Sequence, residues 1–305
     1  MNRWVATAAL AIAFAVPCLA QVALPIHVVP AVAKLRGAAG TDWMSSLSIS
    51  NVSSEAADVT VMFFRENQTN IPLLVPTQQL VIGAGETFTV EDVLGTWFAA
   101  QGDTKGFLVL YGEAPGADED PFLLTVAGRV FNNANPSATY GQTVPSGVLA
   151  VAVAPAISNL PGARFDDAVR SNVGVVNLSI LPLDVIISVY LADGSLAAST
   201  TRQVRSFSLA QWSLGQLGVG TLSTPGRVEV RVDPDSITWD PCLGEDPQLD
   251  DLQGVFLSYL SRVDQVTGDA EFVLGQSDWF DYLELCGSPL PNAASVIEPL
   301  RPAHD

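Results

Sequence analysis

Short runs of alternating apolar and polar residues, separated by Gly, Pro, Asn and Asp, dominate this chain of 305 residues. Residues 226–232 are typical, since Val228, Val230 and Val232 alternate with charged side chains. Alternation with a period of two places the apolar residues on one face of a strand, and long windows with helical spacing are almost absent. The pattern predicts an all-β protein whose strands each have one buried face and one hydrated face.

The chain contains an internal duplication. Residues 30–38, PAVAKLRGA, return as residues 155–163, PAISNLPGA, with Pro, Ala, Leu, Gly and Ala in register. The strand patterns that follow keep their order in both copies. Asn51 and Asn177 occupy the same place before a turn, where an asparagine side chain can close the turn on its own backbone. Ordered similarity of this kind indicates two copies of one structural unit.

A second matching pair of segments predicts a short helix in each copy. Thr89 with Asp92, and Ser208 with Gln211, have the hydroxyl and acceptor spacing of a helix-capping arrangement. A glycine follows each pair, and glycine commonly ends a helix. We therefore expect one brief helix between strands in each copy, ending at that glycine.

About seven short strands in each copy of roughly 120 residues favour two packed sheets, because every strand must bury its apolar face. The pattern predicts two tandem antiparallel β-sandwich domains, at residues 21–147 and 148–286, each with one short helix, and a C-terminal tail at residues 287–305. With this spacing and its repeated Pro-Ala-x-x-x-Leu-x-Gly-Ala phrase, the chain resembles the immunoglobulin-like β-sandwich repeat proteins exported by bacteria. The resemblance implies architecture, export and a role in adhesion or scaffolding, and it carries over no site residue.

Residues 1–20 have the pattern of a secretory signal peptide. Arg3 supplies the positive start, residues 4–16 supply the apolar stretch, and a small-residue cleavage site follows. The apolar stretch is interrupted at Pro17 and is shorter than the roughly 20 residues that span a bilayer. We expect a mature chain that begins at Gln21, is not inserted in a membrane, and is secreted, periplasmic or on the cell surface.

The cysteines agree with export. Cys18 would leave with the signal peptide, so that Cys242 and Cys286 would remain as an even pair. A single pair of cysteines in an oxidising compartment predicts a disulfide between them.

The charge balance excludes some partners. The chain has 32 acidic residues against 14 Lys and Arg, with a formal net charge of −18. Such a chain repels phosphate backbones and anionic membranes, so we expect no nucleic-acid partner.

Histidine placement argues against an enzyme. His27 lies near the mature start and His304 near the end, both outside the repeated segments. Nucleophilic mechanisms and the usual zinc sites need imidazoles held by surrounding structure, so we expect no catalytic residue. The many acidic residues keep a carboxylate-based glycoside hydrolase as a less favoured alternative.

An acidic segment of the second copy is the candidate ligand site, because calcium binds several carboxylate oxygens supplied by loops. The candidate metal ligands are Asp233, Asp235, Asp240, Glu245, Asp246, Asp250 and Asp251. Their spacing fits no EF-hand, so a solvated loop is the favoured interpretation and calcium is the one cofactor to consider. A sugar could stack on one of the tryptophans Trp43, Trp97, Trp212, Trp239 and Trp279, although packing in the core or in a loop is the commoner role. Trp239 and Trp279 are the better candidates for exposed contact.

The first functional hypothesis is a non-enzymatic exported surface, matrix or assembly protein that contacts proteins or glycans at the cell surface. The alternative is a carbohydrate- or calcium-binding module that uses the acidic loop and its tryptophans. The apolar segment 21–32 could also pair with a sheet edge. We favour pairing within its own first domain over pairing with a neighbouring molecule, which would give self-assembly by strand addition.

Overall fold

A computed structural model describes residues 23–37, 40–113, 122–236 and 253–277 of the chain. The first half, residues 26–145, contains β1 Ile26–Arg36, β2 Asp42–Asn51, β3 Ala57–Arg65, β4 Thr77–Ile82, β5 Thr87–Val90, β6 Thr104–Glu113, β7 Leu124–Asn132 and β8 Tyr140–Pro145. The second half, residues 148–277, contains β9 Val151–Val153, β10 Ser158–Phe165, β11 Val169–Asn177, β12 Leu183–Tyr190, β13 Leu196–Val204, β14 Ser208–Ser213, β15 Leu222–Val232, β16 Val255–Asp264, β17 Ala270–Leu274 and β18 Gln276–Ser277. Helical turns are short, at α1 Val93–Thr96, Pro72–Leu74, Val148–Ala150, Gly215–Leu217 and Pro234–Ser236. The predicted all-β class is confirmed.

The two halves repeat one scheme of strand pairing. In the first half, one layer has the order β4-β3-β6-β1 and the other contains β5, β2, β7 and β8, with β2 paired to both β5 and β7. The second half has the equivalent orders β13-β12-β15-β10 and β14-β11-β16-β17. Equivalent strands therefore keep the same neighbours, and the repeat in the sequence corresponds to a repeat in the structure.

The halves differ in how their layers are connected. In the first half, β1 also pairs with β2 through Leu35 opposite Trp43 and Arg36 opposite Asp42. The first half is therefore one eight-stranded sheet folded over on itself, where two separate sheets were expected. In the second half the layers are separate five-stranded sheets, with β18 beside β10 and β9 beside β16.

Three apolar cores lie between four stacked layers. The first core fills the first half and includes Leu47 and Leu108, and the second core fills the second half and includes Val173 and Val228. A third core, which we call the central core, joins the halves. We call the two layers that form it, β4-β3-β6-β1 and β14-β11-β16-β17 with β9, the inner layers, and the remaining two the outer layers.

The central core is built by both halves. From the first half it takes Ile26, Val28, Met62, Phe64, Phe107, Val109 and Tyr111. From the second half it takes Val148, Val151, Val153, Val176, Leu178, Phe207, Leu209, Val255, Leu257 and Tyr259. All are buried, and burial of apolar area contributes about 25 cal/mol per Å². The two halves therefore pack against each other through a shared apolar core and are not joined by the connecting segment alone.

Equivalent strands differ where only one of them faces the central core. On β3, Val61 faces the first core while Met62 and Phe64 face the central core, so the strand is buried on both sides. On β12, the equivalent strand, Val185 and Ile187 face the second core and the residues between them are partly exposed. A run without alternation is typical of a strand buried on both faces.

Backbone and side-chain hydrogen bonds reinforce the contact between the halves. Asn70, which is buried after β3, donates from its side-chain amide to the carbonyl of Phe207 at 2.7 Å and from its backbone to the carbonyl of Ser206 at 3.1 Å. The backbone amide of Asn67 donates to the carbonyl of Leu209 at 2.9 Å. This turn of the first half is thereby fixed to the β13–β14 turn of the second.

The two duplicated asparagines make the same network in each half. The amide of Asn51 donates to the carbonyls of Glu55, Ile82 and Gly83, and its side-chain oxygen accepts from the backbone of Ser53. The amide of Asn177 donates to the carbonyls of Leu181, Val204 and Arg205, and its oxygen accepts from the backbone of Ser179. The prediction that these residues close a turn on their own backbone is confirmed.

The predicted helices form as very short turns, but neither ends at the expected glycine, since Gly95 lies inside α1 and Gly215 begins the turn Gly215–Leu217. The side chain of Asp92 accepts from the backbone of Gly95 and caps α1, whereas Thr89 lies on β5 and bonds Ser48. In the second half Ser208 and Gln211 both lie on β14. The expected capping pair of the second half was wrong, because pairing with β11 extends β14 through both of its residues. In the first half Asp92 caps the helix, but Thr89 takes no part in the cap because β5 pairs with β2 at that position.

The apolar N-terminal segment pairs inside its own half. β1 lies between β6 and β2, with Val28 opposite Val109 and Val29 opposite Leu108. A register shift between Val29 and Val32 marks a bulge that turns the strand towards the outer layer.

The asparagine network yields a prediction for stability. We expect Asn51→Ala and Asn177→Ala each to lower the free energy of unfolding by about 3 kcal/mol, because each leaves three carbonyls without their donor. Urea unfolding followed by far-UV circular dichroism measures the change.

Asn135→Ala is the matched control, since the Asn135 side chain accepts from the backbone of Ser137 at 3.2 Å in an exposed turn. We expect it to cost no more than about 0.5 kcal/mol. Equal losses in the three variants would contradict the structural role of the buried pair.

Candidate functional site

A cleft lies between the two halves, beside the central core. Its volume is about 370 Å³, within the range of small-molecule sites. Its polar lining consists of Lys105, Gln142, Arg170, Asn172, Gln211, Ser213, Gln216, Tyr259 and Ser261, and its apolar lining of Ala31, Val32, Ala33, Leu35, Trp43, Val130, Leu209 and Val263. Both halves contribute to it, so the site requires their packing.

The cleft forms where the inner face of the second half changes from apolar to polar. On β11, side chains with the same orientation run from Val176 in the central core to Asn172 and Arg170 in the cleft. On β16, which pairs with β11, they run from Leu257 to Ser261. The same strands therefore supply the apolar contact at one end and polar ligand groups at the other.

Tyr259 lies at the boundary between the central core and the cleft. Its ring stacks on Phe272 with centroids 4.6 Å apart and passes over Gly174, the residue paired with it on β11. A Cβ at position 174 would lie 2.1 Å from the Cζ of Tyr259. Only glycine at this position leaves room for the ring.

The Tyr259 hydroxyl is buried and has no hydrogen-bond partner among the described residues. Burial raises the pKa of this phenol well above its ordinary value, and the negative charge of Glu66 adds to the effect. The hydroxyl therefore stays protonated and can donate. An unsatisfied buried donor is costly, so its presence beside a cleft indicates a group that receives an acceptor from a ligand or a water molecule.

Amide side chains supply four of the nine polar residues of the lining, namely Gln142, Asn172, Gln211 and Gln216. Within the described ranges, the side chains of Asn172 and Gln211 have no hydrogen-bond partner in the protein. Gln142 donates to the hydroxyl of Ser261 at 3.0 Å and so connects β8 to β16 across the halves. Each amide offers both a donor and an acceptor, which suits hydroxyl groups of a ligand.

One aromatic ring and two cations complete the site. Trp43, on β2, contacts the ring of Tyr140 edge-on with centroids 6.1 Å apart. Lys105 is bound to Glu66, with 2.8 Å between Nζ and Oε1. Arg170 has no ion pair with any carboxylate in the part of the chain that the structure describes.

Most of the site residues predicted from the sequence lie outside the described residues. These are Trp239, Asp240, Cys242, Glu245, Asp246, Asp250, Asp251, Trp279 and Cys286. The predicted disulfide, calcium site and stacking residues therefore stay predictions.

Two of the predicted metal ligands are described. The side chain of Asp233 accepts from the backbone of Asp235 at 3.2 Å, at the start of a 3₁₀ turn, so its carboxylate forms part of the turn. Among the described residues, no group of three or more His, Cys, Asp or Glu side chains could hold a metal ion.

His27 is held firmly, contrary to the expectation that both histidines lie outside the folded repeats. It is fully buried on β1, and its Nε2 lies 3.0 Å from the carbonyl oxygen of Leu24 and 2.9 Å from that of Leu124. Nε2 must therefore carry the proton, and Nδ1 accepts from the hydroxyl of Ser146 at 2.9 Å. Neither His27 nor Ser146 lines the cleft, so the pair connects β1, β7 and the segment between the halves.

Comparisons with known proteins do not assign the chain to a family. No family model matches the chain, and no curated protein matches it. One solved structure, a protein of Parabacteroides distasonis ATCC 8503 provisionally described as secreted, matches with 10% identity, a TM-score of 0.20 and coverage of 76% of this chain and 88% of that one. Another, the Parabacteroides merdae β-glucuronidase, matches with 11% identity, a TM-score of 0.15 and coverage of 78% of this chain and 26% of that one. TM-scores this low carry no argument about function.

In the described ranges, no helix has the length and apolar character needed to cross a membrane.

Burial of His27 yields a prediction for how the free energy of unfolding depends on pH. Desolvation lowers its pKa from the ordinary value of 6.5, and its hydrogen bonds to two backbone carbonyls oppose this less strongly. As the pH falls below about 6.5, the unfolded histidine takes up a proton while the folded one stays neutral. We expect the free energy of unfolding to fall by up to about 1.4 kcal/mol per pH unit until the folded pKa is reached.

Urea unfolding between about pH 8 and about pH 5.5 measures this slope. His27→Gln should remove most of it, while His304→Gln, which changes the other histidine of the chain, should keep it. A slope that survives in His27→Gln would show that another group is responsible.

Proposed function

We propose that this protein is an exported, non-enzymatic binding protein that takes a saccharide in the cleft between its two halves. The observation that carries the proposal is the buried Tyr259 hydroxyl, which has no partner among the described residues and borders a cavity lined by amides. A ligand acceptor at this position would satisfy the hydroxyl.

The chemistry of the lining favours a ligand rich in hydroxyl groups. The amides of Asn172 and Gln211, which have no side-chain hydrogen bond within the described part of the chain, can donate to and accept from such groups. Trp43 adds aromatic surface, which packs against the C–H faces of a sugar ring. A purely apolar ligand would leave these amides desolvated without partners, which is costly.

The same lining supports binding over catalysis. No described Asp or Glu lines the cleft, so the described residues do not offer the pair of carboxylates that a glycoside hydrolase of the usual kind requires. Ser213 and Ser261 lie in the cleft without a histidine beside them among its described lining residues. Amides and hydroxyls orient a ligand and do not by themselves supply an acid or a base.

The finer architecture belongs to the same proposal. We interpret each half as an immunoglobulin-like β-sandwich, which is supported by two layers of antiparallel strands around one core and by the repeated pairing scheme. Export is supported by the signal-like pattern of residues 1–20. The saccharide would then be met in the periplasm, at the cell surface or outside the cell.

A role in surface assembly is the second candidate. Ile71, Leu73 and Leu74 follow one another closely in the turn between β3 and β4, with 55%, 72% and 77% of their surface exposed. A cluster of exposed apolar side chains is typical of a contact with another macromolecule. This surface is separate from the cleft, so the two roles are compatible.

Titration of the purified protein with a panel of saccharides by calorimetry tests the proposal. We expect binding of at least one oligosaccharide, and we expect Tyr259→Phe to weaken it about tenfold, because the variant loses one buried hydrogen bond to the ligand. The free energy of unfolding should not fall, since the hydroxyl has no partner among the residues that the structure describes.

Tyr190→Phe is the matched control, because it removes a phenol on the outer strand β12, where Arg227 stacks on the ring at 4.0 Å. It should bind like the wild type. Failure of every saccharide to bind, or unchanged affinity in Tyr259→Phe, would remove the proposed function.

A further inference from the structure

The charge of the cleft is opposite to that of the protein. The chain has 32 acidic residues and 14 Lys and Arg, yet the described lining contains Lys105 and Arg170 and no carboxylate. Acidic side chains elsewhere repel anions over distances of about a Debye length, close to 10 Å in dilute salt. A cationic side chain in the cleft that forms no ion pair with the described residues would therefore attract a negatively charged ligand group to the cleft.

The two cations are not equivalent. Lys105 is paired with Glu66, whose side chain is only 11% exposed, so the charge of the lysine is largely balanced within the protein. Arg170 lies on β11 opposite Val263 and lines the same cleft as Asn172 and Gln216, and none of these three residues carries a charge. Arg170 is therefore the cation that is available to a ligand.

A guanidinium group recognises a planar carboxylate through two parallel hydrogen bonds. Arg170 is exposed at the edge of the cleft, while Asn172 and Tyr259 lie further along the same face towards the central core. Arg170, which can bind a carboxylate, and Asn172 and Tyr259, which can bind hydroxyl groups, thus follow one another along the same face. A sugar acid carries both kinds of group on one ring.

On the basis of the proposed function, we propose that the saccharide bound in the cleft is an acidic one of the uronic-acid class, and that Arg170 binds its carboxylate. The amides of Asn172 and Gln211 and the hydroxyl of Tyr259 bind the ring hydroxyls. The negative charge of the whole protein sets a penalty on anions, and the free guanidinium offsets it only where the ligand fits the cleft.

Calorimetric titration with a short oligogalacturonate and with its carboxyl-reduced, neutral counterpart tests the assignment. We expect the acidic oligomer to bind about tenfold more tightly in dilute salt, a ratio that corresponds to one charge-assisted hydrogen-bonded pair. The advantage should shrink as sodium chloride is added. Arg170→Gln should remove the advantage, because it should weaken binding of the acidic oligomer much more than binding of the neutral one.

Arg205→Gln is the matched control, since Arg205 is exposed in the β13–β14 turn and does not line the cleft. It makes the same change in net charge and should keep the preference. Equal binding of both oligomers, with no effect of Arg170→Gln, would overturn the acidic assignment and leave the cleft as a saccharide site. No binding of either oligomer, with no other saccharide bound, would overturn the assignment together with the proposed function.

Discussion

The apolar contact between the two inner layers is the constraint on which the rest of the structure depends. Met62 and Phe64 from β3 and Leu257 from β16 belong to one buried core, although they come from different halves of the chain. Without this contact each half would expose a broad apolar sheet face, which soluble domains rarely do. The cleft depends on it as well, because its walls belong to different halves and Tyr259 belongs to both the core and the cleft. Stability and binding therefore share one interface.

The contact joins layers that are not equivalent under the duplication. The first half contributes its β3–β6 layer, and the second half contributes its β11–β16 layer. Because the two contacting layers are different, further halves could in principle add to either end of the stack through the same kind of contact. The outer layers prevent continuation in the described part of the chain, because one carries hydroxyls such as Ser48 and Ser50 and the other carries charges such as Arg227 and Glu229. Polar outer faces end a stack in repeat proteins for the same reason.

The sequence predicted the all-β class and the duplication because these follow from local alternation and from repeated turn residues such as Asn51 and Asn177. It predicted about seven strands in each copy, where the described residues form eight in the first half and ten in the second. It did not predict the stacking of the halves, which is a tertiary event. A signal was nevertheless present, because 107–111 is an uninterrupted apolar run while the equivalent part of β15 alternates Val228 with charged residues. A strand that is apolar throughout in one copy and alternates in the other is buried on both faces only in the first. Comparing the two copies in this way would have located the central core. The cleft could not be found in this way, since a polar residue near a strand end is ordinarily solvated, and only packing places it opposite the other half.

Hydrogen exchange measured on the intact protein and on Leu257→Asp tests the central claim most directly. The substitution places a charged side chain of the second half in the central core. The exchange of the backbone amides of β6, in the first half, is then measured. If the two halves share one cooperative core, protection of β6 falls together with that of β16. If β6 keeps its wild-type protection while β16 loses its own, the halves are independent, and the account of a shared core and an inter-half binding cleft is contradicted.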